Sequence, residues 1–208
     1  MKIVITLIAL FSLSFYFLTN DINKQTVQYL IDDLINTNNN VNLLIGSSSI
    51  KKIKNTDSLS CVKWLNRGMG NSTITNLTNY LSLSPALTKT NHVIIYAGEN
   101  DIAFGNSVDT TLERMKSLTQ QLIQSNSHDI SIIKIKLSPA RERFHDDFTE
   151  FNQQLEATFS NINNVRVLEN NLDKFTATSY TSDGIHLTDK GYDLFTQGVS
   201  DICQDIAI

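Results

Sequence analysis

The chain has 208 residues, of which 41% are hydrophobic and 18% charged, and these proportions are typical of one ordinary globular domain and not of a disordered chain. Its net charge of −4 comes without any basic run, which argues against a nucleic-acid partner. The two cysteines, Cys61 and Cys203, form no CxxC or Cys/His cluster, which argues against a structural zinc site. The two could pair in an exported protein, but buried free thiols are the favoured interpretation.

The amino terminus has the pattern of an export signal. Lys2 precedes an apolar run from Ile3 to Leu18, and polar residues begin directly after it. A helix of that length spans about 24 Å, less than the ~30 Å of a hydrocarbon core, which favours a signal peptide over a stable membrane span. Because no Ala-x-Ala-like cleavage site follows, an uncleaved signal anchor stays open, as does a buried amino-terminal strand or helix. We expect residues 1–20 to be a signal peptide or anchor and residues 21–208 to be one domain outside the cytoplasm. That domain would be secreted, periplasmic or anchored to the outer face of the cytoplasmic membrane through residues 3–18.

Beyond this leader, apolar runs with strand character alternate with amphipathic helical stretches. In chain order the patterns predict a helix at 25–38, strands at 41–45, 58–65 (the least distinct) and 93–96, a helix at 108–122, a strand at 130–137, a helix at 144–159, a strand at 165–168 and a helix at 188–204. Such alternation predicts an α/β fold in which helices cover both faces of a parallel sheet. Reacting groups in such folds gather at the carboxyl ends of the strands.

Three polar segments follow predicted strands or precede the last helix. A serine triplet comes after the strand at 41–45, an Asn-Asp pair follows the strand at 93–96, and an Asp/His pair lies just before the final helix. A serine hydroxyl becomes a nucleophile when an imidazole takes its proton and a carboxylate orients that imidazole, and these residues supply all three groups. Taken singly, each segment also fits a helix cap, a turn or a surface loop.

Together and in order, these segments resemble the conserved blocks of SGNH (GDSL-like) hydrolases. The four blocks are Gly46-Ser47-Ser48-Ser49-Ile50, Asn66-Arg67-Gly68-Met69-Gly70-Asn71-Ser72-Thr73, Gly98-Glu99-Asn100-Asp101 and Asp183-Gly184-Ile185-His186. The resemblance extends from about residue 41 to residue 204. It implies a three-layer α/β/α sandwich with a flavodoxin-like, mostly parallel five-stranded sheet.

The resemblance also implies roles for individual residues. Ser48 would be the nucleophile, His186 the general base and then acid, and Asp183 the residue that orients His186. An oxyanion hole would consist of the Ser48 N–H, the side-chain amide of Asn100 and a backbone N–H from Asn71. The family has a glycine at this last position, so the preceding Gly70 is an alternative to Asn71.

The implied activity is hydrolysis of a carboxylic ester through an acyl-enzyme, with no metal and no cofactor. Few helices are available to form a lid, which favours short acyl chains on a small-molecule or carbohydrate ester. Carbohydrate O-acetyl ester hydrolysis and acyl transfer at the same site are alternatives. A catalytically silent binding protein of the same fold is the alternative from another functional class.

The remaining polar residues carry weaker expectations. His92, His128 and His145 have no carboxylate at a matching spacing, so we expect them on the surface. Arg141 and Arg143 follow a predicted strand near the expected cleft and could contact the polar part of a substrate.

Overall fold

The domain is built on one sheet of five parallel strands in the order β2-β1-β3-β4-β5. A computed structural model of the chain describes residues 20–36, 41–54, 64–86, 90–125, 129–169 and 171–206, with the backbone alone given at 36, 41, 172 and 198–206. The strands are β1 (Val41–Gly46), β2 (Trp64–Gly68), β3 (Thr90–Tyr96), β4 (Asp129–Ile133) and β5 (Val165–Leu168). This order confirms the predicted flavodoxin-like sheet, in which ligands bind at the carboxyl ends of the strands where the order reverses.

Helices lie on both faces of the sheet. They are α1 (Asp21–Asn36), α2 (Ser48–Lys51), α3 (Ile74–Leu83), α4 (Glu99–Ala103), α5 (Val108–Gln124), α6 (His145–Phe159) and α7 (Asp189–Ile206). Three 3₁₀ turns add Pro139–Phe144, Leu172–Lys174 and Ala177–Ser179. The helices predicted at 25–38, 108–122, 144–159 and 188–204 correspond to α1, α5, α6 and α7.

The core has two parts because successive strand residues point to opposite faces of the sheet. Leu43 and Ile45 of β1 belong to one buried cluster, and Leu44 between them belongs to the other. The first cluster is filled from α3, α5 and α6, for example by Leu77, Met115 and Phe151. The second is filled by Ile50 of α2 and by Phe195 of α7. The sheet is therefore the middle of three layers.

The edge strand β2 (Trp64–Gly68) includes the last two residues of the strand predicted at 58–65 and continues three residues beyond it. It includes Arg67, whose buried guanidinium donates to the Asp33 carboxylate of α1 at 2.7 and 2.9 Å and also to the Asp32 carboxylate. Hydropathy does not predict a strand that contains a buried charge, because the compensating carboxylates lie about thirty residues away in the sequence. The ion pair holds α1 against this edge of the sheet. Residues 55–63 lie outside the described part of the chain.

Helix α3 was not predicted, although its sequence carries the necessary signals. Ile74, Leu77 and Leu81 recur at spacings of three and four and are buried. At its amino end the N–H of Thr73 donates to the Asn76 side-chain oxygen at 2.9 Å, as in a capping box.

The leader and the cysteines fall where the structure gives no description. Residues 3–18 and Cys61 lie outside the described ranges, as does the side chain of Cys203. Among the helices that are described, none has the length and apolar character needed to cross a membrane.

Candidate active site

Ser48 lies at the carboxyl edge of the sheet, where β1 ends and α2 begins. The N–H of Ser47 donates to the carbonyl oxygen of Tyr96 at the end of the neighbouring strand, at 3.2 Å. A Cβ atom on Gly46 would lie only 2.3 Å from that same oxygen, so glycine is needed for the two strand ends to approach this closely. The half-buried Ser48 side chain is thereby fixed at the rim of the sheet.

The structure brings together Ser48, His186 and Asp183, as the sequence predicted. Nε2 of His186 lies 2.9 Å from Oγ of Ser48, and Nδ1 of His186 lies 2.5 Å from Oδ2 of Asp183. The His186 side chain is 21% exposed and that of Asp183 is 46% exposed, so the site opens to solvent. One continuous chain of hydrogen bonds therefore joins hydroxyl, imidazole and carboxylate, which is the geometry that lets an imidazole remove a hydroxyl proton.

The loop around Asp183 keeps its carboxylate ionised. Oδ1 accepts hydrogen bonds from the Thr181 hydroxyl at 2.8 Å and from the N–H groups of Ile185 and His186 at 2.9 Å each. Burial raises the pKa of Asp183, but the hydrogen bonds from the His186 ring and from these loop groups outweigh it and lower that pKa well below its usual range. Asp183 is thus a fixed negative charge beside the imidazole.

The same loop is closed by backbone contacts. The N–H of Thr181 donates to the His186 carbonyl at 2.8 Å, and the N–H of Ala140 donates to the Gly184 carbonyl at 3.1 Å. Gly184 has a φ of 64°, and a Cβ there would lie 3.1 Å from the Ala140 side chain. The turn at Pro139–Phe144 is therefore tied to the Asp183/His186 loop.

Three groups that could stabilise an oxyanion surround this edge. The Ser48 N–H occupies the first position of α2, where no preceding turn of helix offers an acceptor. The buried Asn100 side chain, at the start of α4, donates one amide N–H to the Ser72 carbonyl at 2.9 Å and has a second amide N–H to give. Asn71 has a φ of 60°, in the left-handed region that asparagine tolerates better than most residues.

The backbone N–H of Gly70, the alternative to Asn71, already has a hydrogen-bond partner. The Gly70 N–H donates to the side-chain oxygen of Gln25 on α1 at 3.0 Å, and the same oxygen accepts from Nζ of Lys51 at 2.6 Å. Since Gly70 is already engaged, this contact favours Asn71 as the donor from the second block.

Sequence reasoning missed Gln25 and Glu99 as neighbours of the site and gave Arg141 a different environment. Arg141 points inward, where Nη2 donates to Oδ1 of Asn100 at 2.8 Å and Nη1 lies 3.2 Å from the buried carboxylate of Glu99. Arg143 instead lies on the surface over the ring of Phe144, 4.5 Å from its centroid. Alternation of buried and exposed residues could not reveal these contacts, because they join separate loops.

The other histidines lie away from the triad, but the expected surface placement is wrong for His92. Its ring is 1% exposed, Nε2 lies 3.0 Å from the Ser131 hydroxyl, and burial lowers its pKa to about 4. The position of His92 just before the predicted strand at 93–96 did not indicate that the neighbouring strand β4 would bring Ser131 against the ring. His145 is half-buried with Nε2 at 3.0 Å from the Ser138 carbonyl, and His128 lies outside the described residues.

The described side chains contain no group of three or more His, Cys, Asp or Glu residues placed to hold a metal ion.

Residues 16–199 match the family described as GDSL-like Lipase/Acylhydrolase. The chain belongs to this family. As a member of the GDSL-like lipase/acylhydrolase family it is a hydrolase, which confirms the resemblance noted from the four blocks. No curated protein matches the chain significantly.

Solved structures share this family's architecture. A structure from Streptococcus pneumonia named for platelet activating factor has a TM-score of 0.77 at 20% identity, with 94% of this chain and 98% of that chain covered. A GDSL-like lipase from Bacteroides thetaiotaomicron has a TM-score of 0.74 at 15% identity, covering 87% and 98%. A carbohydrate esterase of family 3 from Talaromyces cellulolyticus has a TM-score of 0.64 at 14% identity, covering 80% and 98%. At these identities the likeness is one of fold.

Proposed function

We propose that this protein hydrolyses carboxylic esters with short acyl groups through an acyl-enzyme on Ser48. The observation that carries the proposal is the 2.9 Å contact between the Ser48 hydroxyl and Nε2 of His186, on an imidazole whose other nitrogen faces the ionised Asp183. Ser48 attacks the ester carbonyl while His186 takes its proton. His186 then gives that proton to the leaving alcohol and later removes one from the water that releases the acid.

The negative charge on the attacked carbonyl needs donors that are already in place. The Ser48 N–H, the Asn71 N–H and the second amide N–H of Asn100 are assigned this role. The contact between Gln25 and Gly70 supports the choice of Asn71. Losing one such donor commonly reduces the rate by about 100-fold or more.

A short acyl group is favoured by the openness of the site. Ser48 is the second residue after β1, and α4 begins three residues after β3, so neither loop supplies a cover. Asp183 and His186 also keep substantial exposure to solvent. The described loops after β1 and β3 would therefore leave a long acyl chain uncovered.

A carbohydrate O-acetyl ester is the second candidate substrate. An exposed triad can reach an ester that projects from an extended polymer, and the fold is shared with the Talaromyces cellulolyticus carbohydrate esterase. Acyl transfer would use the same acyl-enzyme with an alcohol in place of water.

The experiment compares hydrolysis of p-nitrophenyl esters of two to twelve carbons by the wild type, Ser48→Ala and Ser49→Ala. We expect the wild type to prefer the shortest esters, Ser48→Ala to be inactive, and Ser49→Ala to retain activity. Ser49 is the matched control because it is the next serine of the same short helix and its side chain is buried. A serine-directed phosphonate should add its mass to the peptide that contains Ser48.

Each result bears on a separate part of the proposal. Undiminished activity of Ser48→Ala would refute the nucleophile assignment. A preference for acyl chains longer than about eight carbons would refute the short-chain assignment. Acetate release from an acetylated polysaccharide at a higher kcat/KM than from p-nitrophenyl acetate would select the carbohydrate substrate. No hydrolysis of any ester would indicate a silent binding protein.

A further inference from the structure

The amide of Asn100 is held in a single orientation by contacts at both of its ends. Nδ2 donates to the Ser72 carbonyl at 2.9 Å, and Oδ1 accepts from Nη2 of Arg141 at 2.8 Å. A carbonyl only accepts and a guanidinium only donates, so an amide turned by 180° would place like groups against each other at both contacts. The contact with Arg141 thus acts together with the Ser72 carbonyl to fix where the amide N–H groups lie.

Arg141 is itself held by a buried carboxylate. Its side chain is 14% exposed, and Nη1 lies 3.2 Å from Oε1 of Glu99, the residue that precedes Asn100. Oε1 also accepts from the Ser138 hydroxyl at 2.9 Å, while Oε2 accepts from Nζ of Lys136 at 2.8 Å. Burial raises the pKa of Glu99, but the nearby Lys136 and Arg141 cations outweigh it, so that pKa is lowered and the carboxylate stays charged.

The two ends of the guanidinium thus serve two partners at once. One nitrogen faces Glu99 and the other faces Asn100, so the fixed geometry of the planar guanidinium spans both partners. The positive charge beside Oδ1 also polarises the amide, which strengthens its remaining N–H as a donor.

We propose that Arg141 is a positioning residue for ester hydrolysis: anchored on the buried Glu99 carboxylate, its guanidinium fixes and polarises the Asn100 amide so that one N–H is ready for the oxyanion. This inference rests on the proposed function. In this proposal Arg141 acts through Asn100; a direct contact of Arg141 with the polar part of a substrate stays a prediction.

The test is a double-mutant cycle on p-nitrophenyl acetate hydrolysis with wild type, Arg141→Met, Asn100→Ala and the double variant. We expect Arg141→Met to lower kcat about 10- to 100-fold with little change in KM, since the lost interaction belongs to the transition state. Asn100→Ala should lower kcat about 100-fold or more. The double variant should match Asn100→Ala alone, because nothing remains for Arg141 to position.

Urea unfolding and two further variants separate positioning from a structural role. In Arg141→Met the Glu99 carboxylate keeps its ion pair with Lys136 and its hydrogen bond from Ser138, so this variant should unfold close to the wild-type urea concentration while its kcat falls. Arg143→Met is the matched control, because it removes a guanidinium from the same turn and is expected to keep wild-type kcat. Arg141→Lys should recover less than the full kcat.

Three results would overturn the proposal. They are wild-type kcat in Arg141→Met, additive losses in the double variant, and a kcat of Arg143→Met as low as that of Arg141→Met. Failure of the proposed function is distinguishable, because it would appear as full activity in Ser48→Ala or in Asn100→Ala, whatever Arg141→Met does.

Discussion

Replacing Asp183 with asparagine should abolish most of the activity while leaving the loop folded. The three hydrogen bonds to Oδ1, from the Thr181 hydroxyl and the N–H groups of Ile185 and His186, can all be accepted by an amide oxygen. The group that replaces Oδ2 is an NH₂, which donates to Nδ1 of His186 instead of accepting from it. The imidazole must then carry its proton on Nε2.

An Nε2–H cannot take the proton of Ser48. A triad with the wrong imidazole tautomer loses about 10⁴ in kcat, which is about 5.5 kcal/mol at 1.36 kcal/mol per tenfold change. The assay is the initial rate of p-nitrophenyl acetate hydrolysis at saturating substrate, with urea unfolding of the same preparations. Asp183→Asn should unfold at the wild-type urea concentration, whereas Asp183→Ala, which loses the loop bonds as well, should unfold earlier. A kcat for Asp183→Asn within tenfold of the wild type would refute the assigned role of Asp183.

Two other predictions concern stability and location. Because burial lowers the pKa of folded His92 to about 4, while an unfolded histidine titrates near 6.5, only the unfolded state binds this proton as the pH falls from 7.5 to 5. Through this group the wild type should lose about 2 kcal/mol of unfolding free energy over that range. Urea titrations of His92→Gln should show a correspondingly smaller loss. An equal loss in both proteins would contradict the burial of a neutral His92. We also propose that residues 1–20 direct export. The intact mass of the protein recovered from outside the cytoplasm should show whether residues 1–20 are removed or retained. Recovery of the protein from the cytosol alone would contradict export.

The sequence predicts the parts of the fold that follow from local patterns. The strand at 41–45 and the helices at 108–122 and 144–159 carry regular apolar spacings, and each appears where expected. Chemistry and element boundaries single out the serine triplet, the Asn-Asp pair and the Asp/His pair, and the resemblance to the family's blocks then selects Ser48, Asn100, Asp183 and His186. The structure brings the first and last of these together across 138 positions of sequence.

What the sequence does not predict depends on distant partners. Arg67 lies in β2 only because Asp33 of α1 compensates its charge, and hydropathy of either segment gives no sign of the pair. His92 is buried for a similar reason, since the ring packs edge-on against Trp64 at 5.4 Å between centroids. In each case the deciding contact joins segments whose proximity is a result of folding.

The proposed oxyanion donors also depend on partners that are distant in the sequence. The four blocks contain the donor groups, but two side chains that contact these groups lie outside the blocks. Gln25 of α1 occupies the Gly70 N–H and thereby favours Asn71, while Arg141, from the turn after β4, fixes the Asn100 amide. The Gln25 oxygen also accepts from Nζ of Lys51, so one side chain links α2, which begins with Ser48, to the loop that follows β2. Preorganisation of the proposed oxyanion site therefore depends on how α1 and the 139–144 turn pack against it.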